Sequence, residues 1–168
     1  MPAIATIGVY GFDRDSFLAA LGDAGVELVL DVRQRRGVRG SEYAWANARR
    51  LQEALAAADI DYSHLKELAP TTELRQLQYR EDDRRGEGKR SRTVLAPEYA
   101  RRYGEEILGP VDLDPIVKWI GANTAALLCV ERDPQACHRS LIAARLGREY
   151  DFAVTHLRPP ESAQAQGG

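Results

Sequence analysis

Five short runs that read as strands, each separated from the next by segments of helical periodicity, restrict this chain more than any other feature. They fall at residues 3–9, 26–32, 60–65, 125–130 and 153–157. The run at 26–32 is nearly continuous in apolar residues, and the one at 125–130 is the most buried-looking of the set, as expected of strands covered on both faces by helices. Between the first two, Asp13 can cap a helix whose Phe17, Leu18 and Leu21 share a face, with Gly25 as its stop. Further helices are predicted over 47–58, with leucines at 51 and 55, and over the polar stretch 71–85, which Gly86-Glu87-Gly88 breaks. Another starts with proline at 97–108, one is opened by the cap-then-proline order Asp114-Pro115, and the last covers 137–146. Strands interleaved with helices imply right-handed crossovers. The fold class expected is α/β, a three-layer sandwich with a mainly parallel sheet of about five strands, Rossmann-like or rhodanese-like in outline.

Length and composition set the frame for that fold. With 168 residues, 44% hydrophobic and 29% charged, the chain suits a single globular domain over 1–158. The remaining 159–168, polar and small, is expected to be a disordered tail. No apolar run reaches the roughly 18 residues that cross a bilayer, and no basic region precedes an apolar stretch at the N-terminus, so a cytoplasmic location without membrane contact is expected. The two cysteines, Cys129 and Cys137, stand eight positions apart and are read as free thiols. A net charge of −2 gives no overall attraction to nucleic acid, so a polyanion would have to be held by local arginine clusters. Arginine outnumbers lysine 20 to 3, a bias that a GC-rich genome also produces.

In open parallel sheets, ligands sit beyond the carboxyl ends of the strands. Three polar clusters fall there: Tyr10-Gly11 after the first strand, with Gly8 near its end as a further ligand-binding candidate, Asp31 with Arg33 after the second, and Cys129 to Arg139 after the fourth. The last is the densest, with Cys129, Glu131, Arg132, Asp133, Cys137, His138 and Arg139 in eleven positions. Its end coincides with a helix start, where backbone N–H groups and Arg139 would cradle an anion. A thiol so placed can act as a nucleophile, with His138 or Glu131 handling protons. The structural alternative is a strand cysteine, a packed helix cysteine, and an acid paired with Arg139. A metal bound by Cys129, Cys137 and His138, completed by His64, His156 or a carboxylate, is disfavoured by spacing, because familiar zinc sites use two close ligand pairs.

The stretch 33–40 carries four arginines, including Arg35 and Arg36, with no acid, and is followed by Tyr43 and Trp45. Basic residues beside aromatics can hold a phosphate backbone and stack a base, or form a solvated loop anchored by its rings. A second basic run at 84–92 is expected to be a lid-like loop. His64 is expected near the pocket at the end of the third strand.

These clusters, in this order, resemble the bacterial and archaeal domain of unknown function 488 family over residues 4–157. The resemblance is carried by Thr6-Ile-Gly8, Asp31-Val-Arg33, Tyr62-Ser-His64, and above all Cys129-Val-Glu131 with Cys137-His-Arg139. The stretches Arg35-Arg-Gly-Val-Arg-Gly40 and Leu68-Ala-Pro-Thr71 look like one subgroup. The resemblance implies a shared pocket and supplies no substrate. A fainter likeness to rhodanese-type domains rests on the strand-end Asp-Val-Arg and a later strand-end cysteine, but their compact Cys-x-x-Gly-x-Arg loop is absent. The leading expectation is therefore a pocket for a phosphate-bearing ligand, either a nucleotide or a nucleic-acid element. The alternatives are a thiol-dependent sulfur-transfer or redox enzyme using Cys129 or Cys137, and a noncatalytic nucleic-acid-binding module.

Overall fold

The computed structural model describes residues 2–88 and 91–160. Five strands, β1 (Ala3–Ile7), β2 (Val26–Asp31), β3 (Asp61–His64), β4 (Thr124–Leu128) and β5 (Ala153–His156), form one sheet in the order β3-β2-β4-β1-β5. Every pairing is parallel. The helices are α1 (Arg14–Asp23), α2 (Ala48–Ala57), α3 (Thr72–Arg85), α4 (Pro97–Tyr103), α5 (Asp114–Ile120) and α6 (Arg139–Tyr150), and a π-helical turn at Gly104–Leu108 prolongs α4. The architecture is the α/β three-layer sandwich that the alternating pattern implies. No helix among the described residues is long and apolar enough to cross a membrane.

The central strands β4, β1 and β2 make the core. Ile4, Ile7, Val29, Leu30, Leu127 and Leu128 are all essentially inaccessible to solvent, so both sheet faces are covered. Adjacent strands β2 and β4 are in register from Leu28↔Ala125 to Asp31↔Leu128. From β2 the chain continues toward β3, whereas from β4 it continues toward β5. The two connections diverge, which opens a crevice at the carboxyl ends of these neighbours, the switch point where ligands of open sheets gather.

Several boundaries differ from the sequence reading. The last helix begins at Arg139, after an extended Cys137, and runs through Gly147 to Tyr150, where Asp151 in the left-handed region ends it. Asp114 is the first residue of α5 and not its cap; its N–H donates to Asp112 Oδ1. The arginine-rich loop runs into a 3₁₀ turn at Ser41–Ala46. Pro159, assigned to the disordered tail by sequence, is buried and close to Gly11, while residues 161–168 lie outside the described residues.

Candidate functional site

Asp31 and Arg33 close β2 with a fully buried ion pair. Arg33 Nε donates to Asp31 Oδ1 at 2.9 Å and Nη2 to Oδ2 at 2.8 Å, while Nη1 donates to the Ala46 carbonyl at 2.9 Å. A buried pair of this kind persists because the fork geometry satisfies both partners. The Tyr62 hydroxyl adds a donor to Asp31 Oδ2, and His64 Nε2 lies 2.7 Å from the Arg33 carbonyl. The strand end is thus braced from β3 and from the 3₁₀ turn.

From β4 the chain passes Cys129, whose N–H bonds the Ile7 carbonyl, and enters a turn in which the Asp133 carboxylate accepts from the Gln135 N–H at 3.1 Å. The 3₁₀ turn Pro134–Ala136 then returns Cys137 and His138 to the strand end. His138 Nδ1 lies 3.6 Å from Cys137 Sγ and 3.8 Å from Cys129 Sγ, and the three ligand atoms stand within 4.8 Å of one another. His138 Nε2 is 2.8 Å from the Val32 carbonyl. A carbonyl only accepts, so Nε2 carries a proton and Nδ1 is the ring nitrogen that faces the two sulfurs.

All three groups are buried. Burial pushes the Cys129 thiol well up, helped by the Cys137 sulfur and the Glu131 carboxylate. Burial works the same way on Cys137, but the thiol of Cys129 and the positive charges of His138 and Arg139 outweigh it and hold Cys137 well below the usual thiol range. His138 is raised: burial opposes its charge, and the Cys137 sulfur and the Val32 carbonyl overcome that. Cys137 is therefore the more acidic of the two thiols. A thiolate beside an imidazole can act as a nucleophile or as a metal ligand.

The other wall comes from α3 and the segment after it. Arg92 donates from Nη1 to Asp82 at 2.6 Å, from Nη2 to Glu131 at 2.9 Å and from Nε to the Ala136 carbonyl at 3.2 Å. Gln78 bonds Asp82 at 2.9 Å and accepts from the Ala96 N–H. The lid-like reading of 84–92 therefore does not hold for Arg92, which is buried and locks this wall to the β4 turn, and Lys89 and Arg90 lie outside the described residues. A cavity of about 50 Å³ remains between the walls.

Six sequence candidates line that cavity: Arg33, Arg35, Cys129, Glu131, Cys137 and His138. Seven do not. Gly8 packs against the Glu131 carbonyl, Asp31 and His64 brace Arg33, and Arg36 bonds the Tyr62 hydroxyl. Tyr10 and Tyr43 meet as tilted rings with centroids 5.3 Å apart, and the Tyr43 hydroxyl accepts from the Gly11 N–H. Arg139 is the main departure from expectation. It is fully buried, with Nη1 donating to the Glu131 carbonyl at 2.8 Å and Nη2 to that of Arg132 at 3.4 Å, so it holds the turn instead of lining the cavity. The sequence reading missed Arg75, Gln78, Tyr79, Arg92 and Tyr99 as lining residues. A signal existed for α3, because 75, 78, 79 and 82 recur at helical spacing on one polar face. The spacing argument against a metal also fails to describe the fold, since a strand end and a helix start bring Cys129, Cys137 and His138 together.

Neither a curated protein nor a solved structure matches this chain. A family model described as domain of unknown function DUF488 matches residues 13–146, which contain both walls of the cavity. With that span covering most of the sequence, the chain belongs to the DUF488 family.

Proposed function

We infer that the protein binds a phosphate-bearing ligand whose anionic group enters the cavity at the ends of β2 and β4. The observation that carries this is a local charge surplus. Arg33, Arg35, Arg75 and Arg92 line the cavity, and the carboxylates that pair with them are Asp31, Asp82 and Glu131. Arg75 is hydrogen-bonded only to neutral acceptors in the described contacts, the Gln34 amide at 2.7 Å and the Tyr79 hydroxyl at 2.9 Å, so its charge is available to an anion. The cavity volume of about 50 Å³ suits the charged group alone, so the rest of a nucleotide or nucleic-acid element would lie at the mouth beside Arg35. We also assign the chain to the subgroup with the Arg-Arg-Gly-x-Arg-Gly loop, and the protein to the cytoplasm. The loop is supported internally by Asn47, whose side chain accepts from the Val38 N–H at 2.7 Å.

Calorimetric titration with inorganic phosphate, and with a short single-stranded oligonucleotide as the larger probe, tests this. Binding should weaken as salt rises, and Arg75→Ala should reduce affinity about 10–100-fold, the value of one charge-assisted hydrogen bond, with the fold intact. Affinity unchanged in that variant, or no binding of either probe, would sink the reading. A thiol-dependent enzyme is the second reading, favoured by the His138 Nδ1 that faces both sulfurs.

A further inference from the structure

We propose that Cys129, Cys137 and His138 form a zinc site of two thiolates and one imidazole, with its fourth position open to the cavity. The inference concerns the same cavity as the anion reading but does not rest on it.

The first argument is geometric. Zinc bonds of about 2.3 Å to sulfur and about 2.0–2.1 Å to nitrogen put the S···N edges of a tetrahedron at about 3.6 Å and its S···S edge at about 3.8 Å. The two S···N separations here are 3.6 and 3.8 Å, and all three ligand atoms lie within 4.8 Å of one another. A cation can therefore be seated with the sulfurs closing by at most about 1 Å.

The second argument is hydrogen-bond accounting. The His138 ring is fixed by its Nε2–H on the Val32 carbonyl, the outer-shell partner that metal-bound histidines commonly have. In the neutral ring, one Nδ1 lone pair then faces two buried sulfurs. It can accept from only one thiol at a time, whereas a cation satisfies all three ligand atoms at once. Two thiolates and a divalent ion also sum to zero charge, which removes the penalty of burying either sulfur as an anion alone.

The third argument is position. Among the described residues the cluster has three protein ligands and not four, and each of them lines the cavity that also holds Glu131. Three ligands with an open position distinguish a catalytic zinc from a structural one. Such an ion would polarise an anionic substrate's oxygen or activate a bound water. His64 and His156, the candidates for a fourth ligand by sequence, are engaged elsewhere: His64 lies by the Arg33 carbonyl and His156 Nδ1 is 2.7 Å from the Thr6 hydroxyl.

The test uses the full chain purified without chelators, then stripped of metal under reducing conditions and checked for fold by circular dichroism. Elemental analysis should find one zinc per chain before stripping, or after incubation with zinc and desalting. Cobalt(II) added to the stripped chain should give a thiolate-to-metal charge-transfer band and the intense visible bands of a tetrahedral ion, displaced by one equivalent of zinc. Cys137→Ser and His138→Ala should weaken cobalt binding by more than the ~100-fold typical of losing an outer-shell partner. Zinc should also slow alkylation of both thiols in the wild-type chain, a readout that needs no variant to fold. A folded wild-type chain that gives no charge-transfer band at saturating cobalt overturns the proposal, and so do thiols that zinc fails to protect, an outcome that returns the site to free thiol chemistry. Phosphate titration separates the two ideas, because zinc binding without phosphate binding removes only the anion reading and the reverse removes only the zinc.

Discussion

Gly8 shows how a single residue sets the site. A Cβ built there would lie 1.9 Å from the Glu131 carbonyl oxygen and 3.3 Å from Arg139 Nη2. Its φ is not in the left-handed region, so what the position needs is space and not backbone freedom. The absent side chain lets the end of β1 approach the turn that carries Glu131, and Val9 and Tyr10 N–H groups then bond the Val130 carbonyl at 3.0 Å. Gly8→Ala must push a backbone carbonyl aside, and we expect a loss of about 1–3 kcal/mol or more in urea unfolding, the cost of overpacking a filled interior. A variant as stable as the wild type would mean that the turn can move without cost. Gly8 was legible as a motif residue, but its role was not, because the partner that crowds it is more than a hundred positions away in sequence.

At the scale of elements, the site depends on how α3 is tied to the turn after β4. Asp82 and Gln78 on α3, Arg92 beyond it and Glu131 after β4 form one buried network. Arg92→Met roughly keeps the side-chain volume but removes the guanidinium that bonds both Asp82 and Glu131. That loss should cost about 3–5 kcal/mol, the usual consequence of breaking a buried pair from one side. Chemical denaturation of the variant checks the figure. If Asp82→Asn combined with Arg92→Met costs as much as Arg92→Met alone, the penalty does not come from stranded charge at Asp82. The element itself was readable: Thr71 caps α3 through a 3.2 Å bond from the Leu74 N–H, and Gly86 ends it with φ +71°. The burial of Arg92 was not, since a run of basic residues with glycines reads as solvated until its acidic partners on other elements are known.

For the molecule as a whole, pH reaches stability through the edge strand β5 as well as through the core. His156 bonds the Thr6 hydroxyl of β1, and its pKa is held below the ordinary value first by burial and then by the charges of Arg139 and Arg158. A histidine depressed in the folded state takes up its proton more readily in the unfolded chain. Its contribution is therefore present above the ordinary imidazole value of 6.5 and is lost as pH falls below it through the folded pKa. His156→Gln should show a shallower fall in stability than the wild type between pH 7 and about 5, measured by thermal unfolding across the series. Parallel curves for the two proteins would exclude this histidine as a source of the acid sensitivity.

The sequence by itself determined the alternation of strands and helices, and with it the parallel three-layer sheet, because period and punctuation are local properties of the chain. It also determined which strand ends carry reactive residue types, and Cys129, Glu131, Cys137 and His138 all line the cavity. Tertiary structure decided what those residues face. Arg139 is adjacent to His138 in sequence, yet it turns to the carbonyls of Glu131 and Arg132, while Arg75 and Arg92, distant in sequence, reach the cavity from α3 and beyond. Whether a polar side chain binds a carbonyl, a carboxylate or an open space depends on elements that meet only when the sheet closes. Cys129 and Cys137 illustrate the difference: eight positions of chain argue against a shared ligand set, and one strand end beside one helix start brings both sulfurs to the same imidazole nitrogen.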